Sequence, residues 1–146
     1  MRFYQLTSTS LEQALPRVLE KVLAAGDRAV VVAGSDERAE AIAAALWTYD
    51  DRSFLPHGTA KDGAAADQPI WITTAVENPN EARMLVLVDG VEPPDLAPWP
   101  GLCLFFDDSD PDRLATTRTL WKTWRTAGHA VKYFRQGERG GWELAG

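Results

Sequence analysis

Cysteine is nearly absent: Cys103 is the only one in 146 residues, so no internal disulfide can form. It lies in an apolar run, GLCLFF, which makes it a buried thiol rather than a nucleophile or a ligand. That usage fits a reducing, cytoplasmic setting. Histidine is scarce too. His57 and His129 are the only two, and no H-x-x-x-H, Cys/His cluster or G-x-S-x-G elbow is present, so neither a metal site nor an acyl-transfer site is spelled out. No apolar stretch reaches the roughly 20 residues that a bilayer span needs. The N-terminal MRFYQLTSTS lacks the long hydrophobic segment of a secretion signal. The reading is a soluble protein that stays inside the cell and does not meet a membrane. Positive charge is in deficit as well: the formal net charge is −6, which disfavours wholesale binding to nucleic acid, because phosphate affinity comes from Lys and Arg. Any positive site must be local.

What is present suits one compact domain over residues 1–146, with 45% hydrophobic content enough for a single core. RFYQL at 2–6 reads as a strand and LEQALPRVLEKVLAAG at 11–26 as an amphipathic helix. Ser10 and Gln13 have capping-box spacing and Gly26 is a natural stop, while Pro16 should bend the first turns or delay the helix start. The unbroken apolar RAVVVAG predicts a strand buried on both faces, the habit of parallel sheets. Ser35 then caps a helix over DERAEAIAAALW, whose acidic first turn complements the helix dipole. PIWIT at 69–73, MLVLVD at 84–89 and LCLFF at 102–106 supply three more strands, joined by Pro- and Gly-containing connections. Asp110 or Ser109 before Pro111 opens a helix running to about Gly128, and AVKYFR at 130–135 is a last strand. GTAKDGAAADQ at 58–68 reads as a mobile loop. The fold class is α/β: a Rossmann-like, mixed and mostly parallel sheet flanked by helices.

Such a fold invites a nucleotide, and the loop AGSDE at 33–37 sits where one would bind. Neither G-x-G-x-x-G nor G-x-x-x-x-G-K-[ST] occurs, and without clustered glycines the backbone cannot approach a pyrophosphate. The residues specify no cofactor. The pairs Asp50–Asp51 and Asp107–Asp108 are adjacent in sequence, so their side chains diverge in extended chain and read as solvated turn residues. His57 lacks the partners of an acid/base residue. No catalytic constellation emerges, and the protein reads as a non-enzyme.

One segment departs from the acidic background. Arg113, Arg118, Lys122, Arg125, Lys132 and Arg135 fall between 113 and 136 without a single Asp or Glu. On a helical wheel Leu114, Thr117, Leu120, Trp121, Trp124 and Ala127 share one arc, and Arg118, Lys122 and Arg125 lie on the adjoining side. The apolar arc can be core and the basic stripe a solvated face helped by the helix C-terminus. Alternatively, an aromatic edge beside unopposed cations is a receptor for a short acidic peptide, with Arg forking a carboxylate. Two further readings compete: direct capture of single-stranded DNA by aromatic stacking, and a nucleotide-dependent enzyme on the same Rossmann-like or RecA-like architecture.

The N-terminal FYQL, the central ALW followed by SFLPHG, then QPIWIT, and the late RTLWKTWRTAGH together resemble the chi subunit of bacterial DNA polymerase III, a small accessory protein of the clamp loader. The resemblance spans nearly the whole chain. It implies a non-catalytic adaptor that binds the acidic C-terminal tail of single-stranded DNA-binding protein and joins the clamp loader through a subunit called psi, touching DNA only indirectly. Carried over by position, the tail-binding residues would be Trp47, Phe54, Arg118, Trp121 and Lys122. Trp47 and Phe54 would pack the tail's terminal aromatic ring, Arg118 and Lys122 would hold its carboxylates, and Trp121 would bridge the two zones. Where relatives carry Tyr, Trp121 would replace a phenolic hydrogen bond by an indole donor or lose it. His57 would be structural, and Asp107 and Asp108 would point away from the ligand or orient an Arg.

Overall fold

The computed structural model describes residues 1–48, 57–59, 62–94, 99–107, 109–139 and 141–145. Along the chain these form β1 (Arg2–Leu6), α1 (Leu11–Ala24), β2 (Ala29–Val32), α2 (Asp36–Thr48), β3 (His57–Thr59), a 3-10 turn (Ala65–Asp67), β4 (Ile70–Thr73), β5 (Met84–Leu87), β6 (Gly101–Asp107), α3 (Pro111–Thr126), β7 (Lys132–Gln136) and β8 (Trp142–Leu144). The strands build one sheet in the order β3-β4-β2-β5-β6-β1-β7-β8. Every described pairing is parallel except β7 with β8. This is the mostly parallel α/β architecture that the apolar runs predict.

Because side chains alternate along a strand, the sheet carries two cores. Ala29 and Val31 join Tyr4, Phe105 and the buried sides of α1 and α2 on one face. Val30 and Val32 join Phe3, Leu85, Leu104 and Trp124 of α3 on the other. The two helical faces are thus segregated, with α3 alone on its side among the described helices.

Local signals mostly place the helices. Ser35 Oγ accepts the Arg38 amide at 3.2 Å, and Asp110 Oδ1 accepts the amides of Asp112 and Arg113 at 3.0 and 3.2 Å, beside Pro111. Gly26 and Gly128, at φ 83° and 94°, end α1 and α3 in the left-handed conformation that glycine adopts without strain. Pro16 neither delays nor replaces the start of α1, which begins at Leu11 with Pro16 buried inside it. The amide of Ser10 donates to Gln13 Oε1 at 3.3 Å, forming half of the capping box. That anchored first turn and the packing of Leu11, Leu15 and Leu19 offset the one helical hydrogen bond that proline removes. The stretch read as a loop at 58–68 begins as the end of β3 and contains the 3-10 turn.

One polar residue ties the chain's two ends together. Gln136 is only 4% exposed. Its Oε1 accepts the amides of Thr7, Ser8 and Thr9 at 3.2, 3.1 and 3.0 Å, and its Nε2 donates to Thr9 Oγ1 at 2.7 Å. The connection from β1 into α1 is thereby pinned to β7. Among the described residues, no helix is long and apolar enough to cross a membrane.

Candidate functional site

The acid-free segment builds its pocket from one helix and one hairpin. In α3, Thr117 and Trp124 are buried, and Trp124 meets Phe3 edge-on at 5.4 Å, which seats the helix on the sheet. Leu114, Leu120 and Trp121 are partly buried beside them. Trp121 packs edge-on against Tyr133 of β7 at 5.9 Å, and the Arg125 guanidinium lies over the Trp121 ring, 5.2 Å from its centroid. Tyr133 is itself held by a hydrogen bond from its hydroxyl to the side chain of Gln5. These contacts fix two aromatic rings as a rigid wall.

Around that wall Arg118, Trp121, Lys122, Tyr133, Arg135 and Ala145 line a pocket of about 210 Å³. Three of its six described lining residues are cationic. Among the described residues none of Arg118, Lys122, Arg125 or Arg135 makes an ion pair. The indole nitrogen of Trp121 is buried with no acceptor among the described residues, so this donor points into the protein rather than toward a ligand. The ring, not the N–H, is what Trp121 offers the pocket.

Of the residues expected to act together, Arg118, Trp121 and Lys122 do meet. Trp47 does not join them. It ends α2, is 64% exposed and stands edge-on to His57 of β3 at 5.6 Å. β3 and β7 are six strand spacings apart in the sheet order, roughly 29 Å at about 4.8 Å each, and α2 and α3 cover opposite faces. The two tryptophans thus stand on helices of opposite faces, and among the described residues Trp47 does not line the pocket that holds Trp121. Phe54 lies outside the described residues, as do Asp50, Asp51 and Asp108. Asp107 neither faces the pocket nor orients an Arg; its carboxylate accepts the Ser109 amide at 3.1 Å. Tyr133, Arg135 and Ala145 were missed as site residues. Arg135 stood in the acid-free run, but only the register of β7 beside β1 brings it and Tyr133 under α3.

The other charged centre lies at the carboxyl end of the strands, where open α/β sheets usually take ligands. Here the loop after β2 is closed by the chain itself. The Gly34 amide donates to Asp89 Oδ2 at 3.0 Å, and a Cβ on Gly34 would sit 3.0 Å from that of Asp89. Asp89 Oδ1 accepts from Arg38 Nε at 3.1 Å, and Arg38 Nη1 reaches Glu12 Oε1 at 2.7 Å. Burial alone would raise the Glu12 carboxyl, but the hydrogen bond from Arg38, a backbone bond and the Arg38 charge together hold it below the ordinary value. A carboxylate of the protein thus holds the Gly34 amide at the start of this loop. Cys103 is buried between these regions, and burial pushes its thiol up to about 11, which leaves it neutral and unreactive at physiological pH.

Fold and pocket define an α/β domain that presents a basic, aromatic surface site on a helix–hairpin wall. The family model described as "DNA polymerase III chi subunit, HolC" matches residues 1–132. A curated relative, "Probable DNA polymerase III subunit chi" of Rickettsia prowazekii (strain Madrid E), is 34% identical over 100 residues. That alignment covers 66% of this chain and 59% of the relative's length. The chain belongs to the DNA polymerase III chi subunit family.

Proposed function

We propose that the protein is a non-catalytic replication adaptor whose α3–β7 pocket receives the acidic C-terminal tail of single-stranded DNA-binding protein, and that it reaches the clamp loader through a psi subunit. It works in the cytoplasm and meets DNA only through these partners. The observation that carries the reading is a set of cations with no ion pair among the described residues around two locked aromatic rings. A tail ending in an aromatic residue would lay its ring against Trp121 and Tyr133 and its carboxylates among Arg118, Lys122 and Arg135. Arg118 suits the terminal carboxylate, since a guanidinium can bond both oxygens at once. Trp47 is not part of this pocket's described lining, and its helix covers the other face of the sheet.

One buried ring contributes roughly 2–3 kcal/mol, and each charge-assisted hydrogen bond about 1.5–3 kcal/mol, before the tail's ordering cost is subtracted. Affinity on the order of micromolar follows. The test is calorimetric titration with an acidic peptide ending in Pro-Phe, beside peptides lacking the Phe or carrying a C-terminal amide. Salt-sensitive binding that collapses with either control supports the reading, and equal binding of all three peptides overturns it. A single-stranded oligonucleotide bound more tightly than the Pro-Phe peptide at moderate salt would move the function to direct DNA capture.

A further inference from the structure

Among the described residues, a groove larger than the α3–β7 pocket lies elsewhere. It runs on the opposite face, between α1, the C-terminal end of α2 and the β7–β8 hairpin, with a volume of about 930 Å³. Arg17 and Lys21, one turn apart on α1, line one side, Arg139 and Trp142 of the hairpin line the other, and Thr48 closes an end. Glu12 is the only acidic residue among the described residues of the lining, and Arg38 already occupies it at 2.7 Å. Among the described residues Arg17, Lys21 and Arg139 make no ion pair. In a chain of net charge −6, this is a second concentration of unopposed positive charge. Its hairpin wall, Gln136, Arg139, Gly141 and Trp142, also lies beyond the part matched by the family model, which ends at 132.

The groove is amphipathic in a particular way. Trp142 is half-buried, wedged edge-on against Tyr4 at 4.8 Å and facing Phe105 at 6.4 Å. A ring tied into the core by these contacts cannot insert between nucleobases, as stacking on single-stranded nucleic acid requires, yet its free edge with Ala14 and Val18 makes an apolar floor between the cations. We propose that this groove binds an acidic polypeptide segment that carries an apolar side chain between its carboxylates, with Arg17, Lys21 and Arg139 pairing the carboxylates and Trp142 covering the apolar group. The site is separate from the α3 pocket and needs neither a free C-terminus nor a terminal aromatic ring.

A short Glu- and Leu-containing peptide with both ends blocked is the probe, titrated into the intact protein at low and moderate salt. Its blocked terminus denies the α3 pocket the carboxylate proposed there, so the two sites are read separately. The expected result is binding that shifts the Trp142 indole and the amides of Arg17, Lys21 and Arg139 in nitrogen–proton spectra. Charge reversal of all three cations to Glu should weaken it by roughly tenfold or more, and reversal of the remote, exposed Arg83 should not. Arg139→Glu alone, at a hairpin turn, serves if the triple variant misfolds and should give a smaller loss of the same kind. Absence of binding at low salt, an equal loss in Arg83→Glu, or displacement of the peptide by oligothymidylate at moderate salt would overturn the proposal.

Discussion

The carboxyl end of the sheet and the α3–β7 wall use arginine in opposite ways. Arg38 is spent inside the protein, bonded to Glu12 and Asp89. Arg118, Lys122 and Arg135 are left open to solvent beside a rigid aromatic wall. A charge satisfied internally stabilises an arrangement, here the closure of the loop after β2. A charge left unopposed next to apolar surface has its energy still available for a partner. The loop after β2 is thus tied down by the chain's own side chains, while the cations on the flank of α3 stay exposed.

Four experiments break or sharpen this contrast. Trp124→Ala should cost about 3–5 kcal/mol in urea unfolding, because it removes the ring that seats α3 on Phe3, and the open site should disappear with its helix. If Trp124→Ala folds with near-native stability and still binds the tail, α3 is held by something else. Arg118→Ala should lower tail affinity by about 1.5–3 kcal/mol while stability stays within about 0.5 kcal/mol. Unchanged titration would remove Arg118 from the site.

Asp89→Ala should invert that pattern, costing about 1–2 kcal/mol of stability through the Gly34 amide and the Arg38 Nε–H left without their acceptor, with no change in tail binding. The smallest effect is in acid. The Glu12 carboxyl is depressed in the folded state, so its contribution is present above its unfolded pKa of about 4.3 and is lost as pH falls through the lower folded value. Glu12→Gln should flatten that part of the acid limb in unfolding curves taken below about pH 5. An acid limb identical to that of the native chain would show that Arg38 gains nothing from Glu12.

Sequence patterns carried the helices and the central strands, because capping residues and apolar runs act locally. Ser35, Asp110, Gly26 and Gly128 stand where their chemistry suggests, and Trp124 falls on the buried arc that the wheel drew. Two strands were not legible. β3 is the three residues His57–Thr59 and β8 the three residues Trp142–Leu144, too short for alternation to show, and both sit at sheet edges where pairing with a neighbour decides the structure. The placement of Trp47 and Trp121 on opposite faces was not legible for a related reason. Strand order is a long-range property, and nothing near either tryptophan records that β2, β4, β5, β6 and β1 intervene. Tyr133 entered the site by the same non-local route.

The knot at Gln136 has a consequence for how the chain is made. Thr7 and Gln136, joined through the Thr7 hydroxyl at 2.7 Å, are 129 residues apart, and both neighbours of β1, namely β6 and β7, come late in the chain. On the ribosome, at about 5–20 residues per second, the first strand waits roughly 5–20 seconds for β6 and longer for β7. Through that interval β1 is an unpaired strand with both edges open, the form most prone to wrong pairing. The protein's N-terminus is therefore among the last parts of it to fold, and the hairpin that follows Gln136 closes the structure from its far end.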